Sequence, residues 1–362
     1  MGNRDRSHHR RPRGSSPTMQ PAPGASKGAG IREISVPPEP TAPSARNSLP
    51  ALARPLAIGA VIAVGAYAVL AMFSDGDAVV SAMGSIPGSL VGLALLASTG
   101  NFVLRGLRWD FYLRALDVKA PLVDRWLVFL AGFSMSLTPG KVGELLKPGL
   151  LADRYGVSVS AVSSVVVAER ITDLLGVAFL LGVGALADPS VALVAGVVWL
   201  GVGAALSVLL FPPLGGLVVK VIRRLPLGDK VGGLVERLLS TLRALSRPSV
   251  MLPAVVLSVV AWFLQCVSLW LVAMGVSGCE LTMLESVLAY VGPLLAGAAA
   301  LVPGGVGVAE ATMAGLVARL GEGSLTDGAA ITAIVRGLTL WWAVAVGVGA
   351  LALFFLRRPR ST

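Results

Sequence analysis

The chain has 362 residues, 55% of them hydrophobic and 14% charged, with a formal net charge of +10 and a mean hydropathy of +0.79. Soluble domains are nearer a quarter charged, so this composition excludes an ordinary soluble enzyme and places most of the chain in or against lipid. The histidines are His8 and His9 and the cysteines Cys266 and Cys279, which excludes a histidine-based catalytic site, a His-ligated metal, a histidine proton relay within the membrane and a disulfide framework.

Residues 1–54 hold nine basic residues and three acids among many Pro, Gly and Ser. This segment is expected to be a disordered tail, drawn to anionic lipid headgroups rather than to nucleic acid. A hydrocarbon core about 30 Å thick needs about 20 apolar helical residues. The first span is expected over Pro55–Phe73 and the second over Ser89–Leu104, with a loop at 74–88 that has acids and no Lys or Arg. Arg105, Arg108, Arg114, Lys119 and Arg125 follow. The positive-inside rule then makes the tail cytoplasmic, 74–88 external and 105–125 cytoplasmic.

Trp126–Ala152 is too short for two full spans and is broken at Pro139-Gly140, which predicts a re-entrant hairpin. Val157–Ala187 reads as one long helix with charges inside it, ending outside, and 190–212 returns inward. The 213–249 segment is basic and expected to be cytoplasmic. Val231, Leu234, Val235, Leu238, Leu239, Leu242 and Leu245 recur there at helical spacing, predicting an amphipathic helix that lies on the membrane or packs on the bundle. Residues 250–276 go out. The 285–318 stretch is broken at Pro303-Gly304-Gly305, and 328–356 comes back to a cytoplasmic C-terminus. The fold expected is an all-α polytopic membrane protein with about six full spans and two re-entrant hairpins, or eight or more spans. The tryptophans mostly fall near predicted span ends, as an interfacial belt would place them.

The two breaks share the pattern P-G-x-V-G: Pro139-Gly140-Lys141-Val142-Gly143 and Pro303-Gly304-Gly305-Val306-Gly307. Arg170 lies 31 residues after the first proline and Arg336 lies 33 after the second. The first hairpin enters from the cytoplasm and the second from outside, so the halves, about 88–212 and 250–356, read as inverted repeats. Secondary transporters use this plan, with sites near the midplane.

Charges at bilayer depth are costly and tend to mark function. Glu169, Arg170 and Asp173 fall within one arc of a helix, so an arginine between two carboxylates could exchange one of them for a phosphate. Arg336 has no acid beside it and needs Glu169, Asp173 or a bound anion. Lys141, Glu144, Lys147 and Glu310 follow the breaks, either at the site or solvated at headgroup level. Gly140, Gly143, Gly304, Gly305 and Gly307 permit a tight break with backbone N–H groups open to a phosphate, or simply allow close helix packing.

Leu104–Leu116, Thr138–Asp173 and Val302–Glu310 with Arg336 together resemble the transmembrane region of lysylphosphatidylglycerol synthases, a family that also includes stand-alone flippase-like membrane proteins. The resemblance covers roughly residues 55–356. It implies lipid movement between leaflets. The sequence continues for six residues beyond Leu356, which leaves no room for the soluble aminoacyl-transferring domain of the bifunctional relatives, so lipid synthesis is not expected. The leading expectation is a cell-membrane transporter, not an enzyme, that needs no cofactor and moves an anionic phospholipid or a polyprenyl-phosphate lipid. The other is a non-transporting scaffold that holds a lipid-modifying enzyme.

Overall fold

In lipid, backbone N–H and C=O groups have no water to turn to, and a helix satisfies them within one segment. The computed structural model describes Gly2 and residues 76–136, 146–224, 228–300 and 305–357, and among them it has helices and no strand. The tail, the expected first span and the Pro-Gly pairs of both breaks lie outside the described residues.

Helix α1 (Gly76–Ser85) is followed, after Ile86-Pro87, by α2 (Gly88–Ala115). Pro121 opens α3 (Leu122–Ala131), which tightens into a 3-10 turn at Gly132–Met135. After the first break come α4 (Leu146–Tyr155) and α5 (Val159–Gly184), separated by Gly156 at φ 63° and by Ser158, whose hydroxyl caps Ala161 N–H. Next are α6 (Ala192–Leu210), α7 (Pro212–Ile222), α8 (Gly228–Leu245) and α9 (Pro248–Ala273). α10 (Met283–Ala299) starts on a capping box of Thr282 and Glu285. α11 (Val308–Leu320) leads to α12 (Leu325–Arg336), itself boxed by Ser324 and Asp327. A π turn at Gly337–Trp341 passes into α13 (Trp342–Leu356).

Among the described residues, four helical runs are long and apolar enough to cross a bilayer: α2, α6 with its preceding turn, α9, and α12 continued through α13. α5 is as long and carries Glu169, Arg170 and Asp173. At about 1.5 Å rise per residue, α3 and α4 each reach about 15 Å, half a hydrocarbon core. The chain is therefore an all-α, multi-pass membrane protein.

The packing places the charges. α2 and α9 lie against each other through small and polar contacts: Ser98 Oγ donates to Gln265 Oε1 at 3.0 Å, and Asn101 Nδ2 to the Ala261 carbonyl at 2.7 Å. α5 meets α9 where Gly176 faces Ser258, and α10 where Gly184 faces Leu288; a Cβ at either glycine would crowd backbone atoms. One apolar cluster surrounds Trp109, Tyr112, Phe129 and Val162; a second surrounds Leu180, Leu269, Leu288 and Ile331. Leucines and valines of α6, such as Leu193, Val197 and Leu200, point outward, as a lipid-facing surface does.

Three expectations change. The second span does not stop at Leu104: α2 runs on to Ala115, and Arg105 and Arg108 are buried in the bundle instead of lying in a cytoplasmic loop. Two tryptophans leave the proposed belt, since Trp109 is fully buried and donates to the Arg125 carbonyl at 3.0 Å, and Trp262 is buried beside Asp173. For the amphipathic α8, packing on the bundle is what occurs over its last turns, where Leu242 and Leu245 enter the first apolar cluster.

Candidate functional site

The site is built from α2 outward. Asn101, Arg105, Arg108 and Tyr112 recur four, three and four residues apart, so they share one helix face, and all four are buried. That face meets α5 and α9 at Asp173. Arg108 Nη2 donates to Asp173 Oδ1 at 2.7 Å, and Ser258 Oγ and Trp262 Nε1 approach the same oxygen at 3.3 and 3.1 Å. The other oxygen lies 3.1 Å from Arg170 Nη2 and 3.5 Å from Arg105 Nη2. Arg105 is also stacked over Phe133 and Trp262, at 5.2 and 5.5 Å from the ring centroids.

Three guanidiniums thus share one carboxylate. The side chain of Arg108 is wholly buried and that of Arg105 nearly so, while Arg170 remains 31% exposed and opens the cluster to its surroundings. Arginine does not deprotonate in proteins, so it cannot shed its charge on burial as a lysine can. Among the described residues, three guanidiniums therefore face one carboxylate. Moreover, Arg108 Nε and Nη1 have no hydrogen-bond partner among the described residues. A buried donor left this way costs about 1–3 kcal/mol, and more when charged.

A second pair lies beside the first. Lys147 Nζ bonds Glu169 Oε2 at 3.0 Å, both side chains fully buried, with the ammonium 4.9 Å from the Trp109 ring and 5.0 Å from Phe129. Lys147 is therefore not solvated at headgroup level. Glu169 turns to Lys147 while Asp173 takes the arginines, so the expected arginine between two carboxylates of its own helix does not form. Glu169 Oε1 has no hydrogen-bond partner among the described residues.

In the other half, Arg336 Nε meets Glu310 Oε1 at 2.6 Å. Its carboxylate partner is Glu310, rather than Glu169 or Asp173, and Glu310 is buried rather than at the headgroup level. The second Glu310 oxygen accepts Gly307 N–H at 2.6 Å, so this helix start is capped by its own carboxylate and does not present that N–H to a phosphate. Gly305 and Gly307 have φ of 70° and 89°, a region that strains any residue with a Cβ. Gly305 also packs on Gly297, where a Cβ would lie 3.3 Å from the Gly297 Cα. Gly305 thus permits a close approach to α10, and Gly307 supplies the positive φ at the start of α11. Gly140, Lys141, Gly143, Glu144 and Gly304 lie outside the described residues.

The edges of the bundle are tied by further ions. Asp124 accepts the Tyr155 hydroxyl and meets Arg357 Nε at 3.2 Å, and Arg154 Nη2 donates to the Phe354 carbonyl at 2.6 Å. Arg319 pairs with Asp188 in the turn between α5 and α6. Among the described residues no group of His, Cys, Asp and Glu could hold a metal ion. The arrangement can bind an anion: guanidinium forks match phosphate oxygens in a bidentate way, and low dielectric around them strengthens the contact.

Sequence spacing alone singled out Arg170 and Asp173 but passed over Arg105 and Arg108. Their spacing from Asn101 and Tyr112 was the available signal. The charge-counting rule that assigns Lys and Arg to a loop hid it, because the rule takes no account of which way a side chain points.

Residues 56–347 match the family described as the lysylphosphatidylglycerol synthase TM region. A UPF0104 membrane protein of Methanothermobacter thermautotrophicus is 27% identical over 281 residues, which cover 71% of this chain and 81% of that protein. With its helical bundle, its apolar spans and a match over most of its length, the chain belongs to the lysylphosphatidylglycerol synthase TM region family.

Proposed function

We propose that the protein moves a phosphate-bearing lipid between the leaflets of the cell membrane, with the phosphate held by Arg105, Arg108 and Arg170 beside Asp173. One observation carries this reading: Arg108, wholly buried in a cluster of three guanidiniums around one carboxylate, keeps Nε and Nη1 without a hydrogen-bond partner among the described residues. A buried ion pair kept for structure alone neutralises itself, as Glu310 and Arg336 do. In the Asp173 group Arg108 keeps donors to spare, and a phosphate supplies acceptors for them. Lys147 and Glu169 pair with each other. Arg336 is left out of the anion site because Glu310 already neutralises it.

The headgroup approaches through Arg170, the exposed member, and is handed to Arg105 and Arg108. Acyl or prenyl chains stay in the bilayer. Asp173 takes up the guanidiniums when the phosphate leaves, so the cluster is never wholly without a counter-charge. An anionic phospholipid and a polyprenyl phosphate both fit this chemistry, and the orientation we propose has both termini cytoplasmic. No bond is made or broken.

The two ion pairs that follow the breaks support an inverted-repeat plan. Lys147 is eight residues after Pro139 and bonds a residue 30 after it; Glu310 is seven after Pro303 and bonds a residue 33 after it. In each half, the short helix after the break is pinned to the next helix, with the charges reversed.

Leaflet exchange of labelled phosphatidylglycerol and of a labelled polyprenyl phosphate in proteoliposomes tests the proposal, with wild type beside Arg108→Gln and Arg170→Ala. Exchange that depends on wild-type protein and is lost in both variants, each folded by circular dichroism, is expected. Equal exchange with and without protein for both lipids would sink the transport reading and favour a scaffold.

A further inference from the structure

A second anion site, remote in sequence from the arginine cluster, lies between α7 and α8. A groove of about 400 Å³ is lined by Gly215, Lys220, Arg223, Glu236 and Arg243. Two of its cations are held in place: Arg223 Nη2 meets Glu236 Oε2 at 2.7 Å, and Arg243 Nε donates to the Leu209 carbonyl at 3.0 Å. Lys220 is exposed and pairs with no carboxylate among the described residues. The walls therefore hold three cations against one acid. Gly215 leaves room for the Arg243 guanidinium, which a Cβ there would push aside. A merely solvated basic loop has no need of that glycine or of a guanidinium anchored on a helix carbonyl.

The surroundings identify the source of the anion. Leu214, Leu217 and Val221 lie along one side of α7, at spacings of three and seven residues, and are exposed. They continue the exposed apolar surface of Leu210 and Phe211 at the end of α6, itself a candidate span. Apolar surface open to lipid thus runs into a cationic groove at the point where a span ends. We infer that this groove binds the phosphate of an anionic phospholipid from the adjoining leaflet, with the acyl chains lying along the apolar side of α7. A soluble phosphate would use the cations and leave that side uncovered.

The test uses the full-length protein in phosphatidylcholine vesicles, with bimane on a Leu217→Cys substitution; Cys266 and Cys279 are both buried. Quenching by doxyl-labelled phosphatidylglycerol is compared with quenching by doxyl-labelled phosphatidylcholine. The anionic lipid is expected to quench more strongly, and Lys220→Gln to cut that preference about fivefold, the usual worth of one basic residue at an anionic surface. Arg170→Ala should leave the preference intact, so failure of the transport reading does not decide this one. Equal quenching by the two lipids, or an undiminished preference in Lys220→Gln, would overturn the inference. So would full relief of quenching by millimolar glycerol phosphate, which would make the ligand a soluble phosphate.

Discussion

Glu310 and Arg336 cancel: one carboxylate meets one guanidinium at 2.6 Å, and the spare carboxylate oxygen caps a helix. Around Asp173, three guanidiniums crowd one carboxylate, and a fully buried arginine keeps two nitrogens without a hydrogen bond among the described residues. Both groups are buried and both pin helices together, so burial does not separate them. Unspent hydrogen-bond donors do. Arg108 keeps Nε and Nη1 unbonded among the described residues, and a further anion would engage them.

The largest effect should come from Asp173. Removing one partner of a buried ion pair typically costs about 3–5 kcal/mol, because the other charge is left behind. In Asp173→Ala three arginines are left behind, so unfolding in detergent should fall by at least that much. Inorganic phosphate should restore part of the loss. The same anion should do nothing for Glu310→Ala, where the residue removed balances a single arginine. Equal response of the two variants to phosphate would erase the distinction between the regions.

Paired apolar replacement sharpens it. Replacing a whole buried ion pair by apolar side chains is often neutral or stabilising, by about 1–4 kcal/mol. Glu310→Leu with Arg336→Met should therefore recover the stability that Arg336→Met alone loses, and should keep leaflet exchange. Asp173→Leu with Arg108→Met should also recover stability but lose exchange. If both double variants behave alike in the proteoliposome assay, the second pair belongs to the transport path too.

Arg170 is a milder probe. It is partly exposed, so solvent screens its pair with Asp173, and Arg170→Gln should cost no more than about 1 kcal/mol of stability. Exchange should nevertheless fall about tenfold, the worth of one charge-assisted hydrogen bond to a phosphate. A proportional loss of stability and exchange would mark Arg170 as structural only.

How far the sequence disclosed this depends on the range of each interaction. Two helix starts set by local chemistry were legible: Pro248 and the polar turn before Val159 open helices within two residues of the expected 250 and 157. The Arg170–Asp173 contact is three residues along one helix and needed no fold to predict. Lys147–Glu169 and Glu310–Arg336 join residues 22 and 26 apart across a turn, and no local pattern distinguishes those partners from other acids and bases. Arg105 and Arg108 were misplaced for another reason. Their charge argued for a loop while the apolar and aromatic residues around them argued for a continuing helix, and packing against α5 and α9 resolved that conflict in favour of the helix.

The smallest expected effect concerns the exposed pair of Asp188 and Arg319, which ties the α5–α6 turn to the end of α11. Hydrogen bonds from Ser190, together with the Arg319 guanidinium, hold the Asp188 carboxyl below its usual range. A lowered carboxylate pKa contributes stability that is present above the unfolded value, near pH 4, and is lost as pH falls through the lower folded value. Wild type should thus exceed Asp188→Asn slightly in thermal stability at pH 7, and the two should converge only under strong acid. Because the pair is at the surface, about 1 M salt, with a Debye length near 3 Å, should narrow the gap at neutral pH. The buried Asp173 cluster should show no such salt response in the same scans. A salt-insensitive Asp188 effect would mean that this turn, too, is anchored by something other than exposed charge.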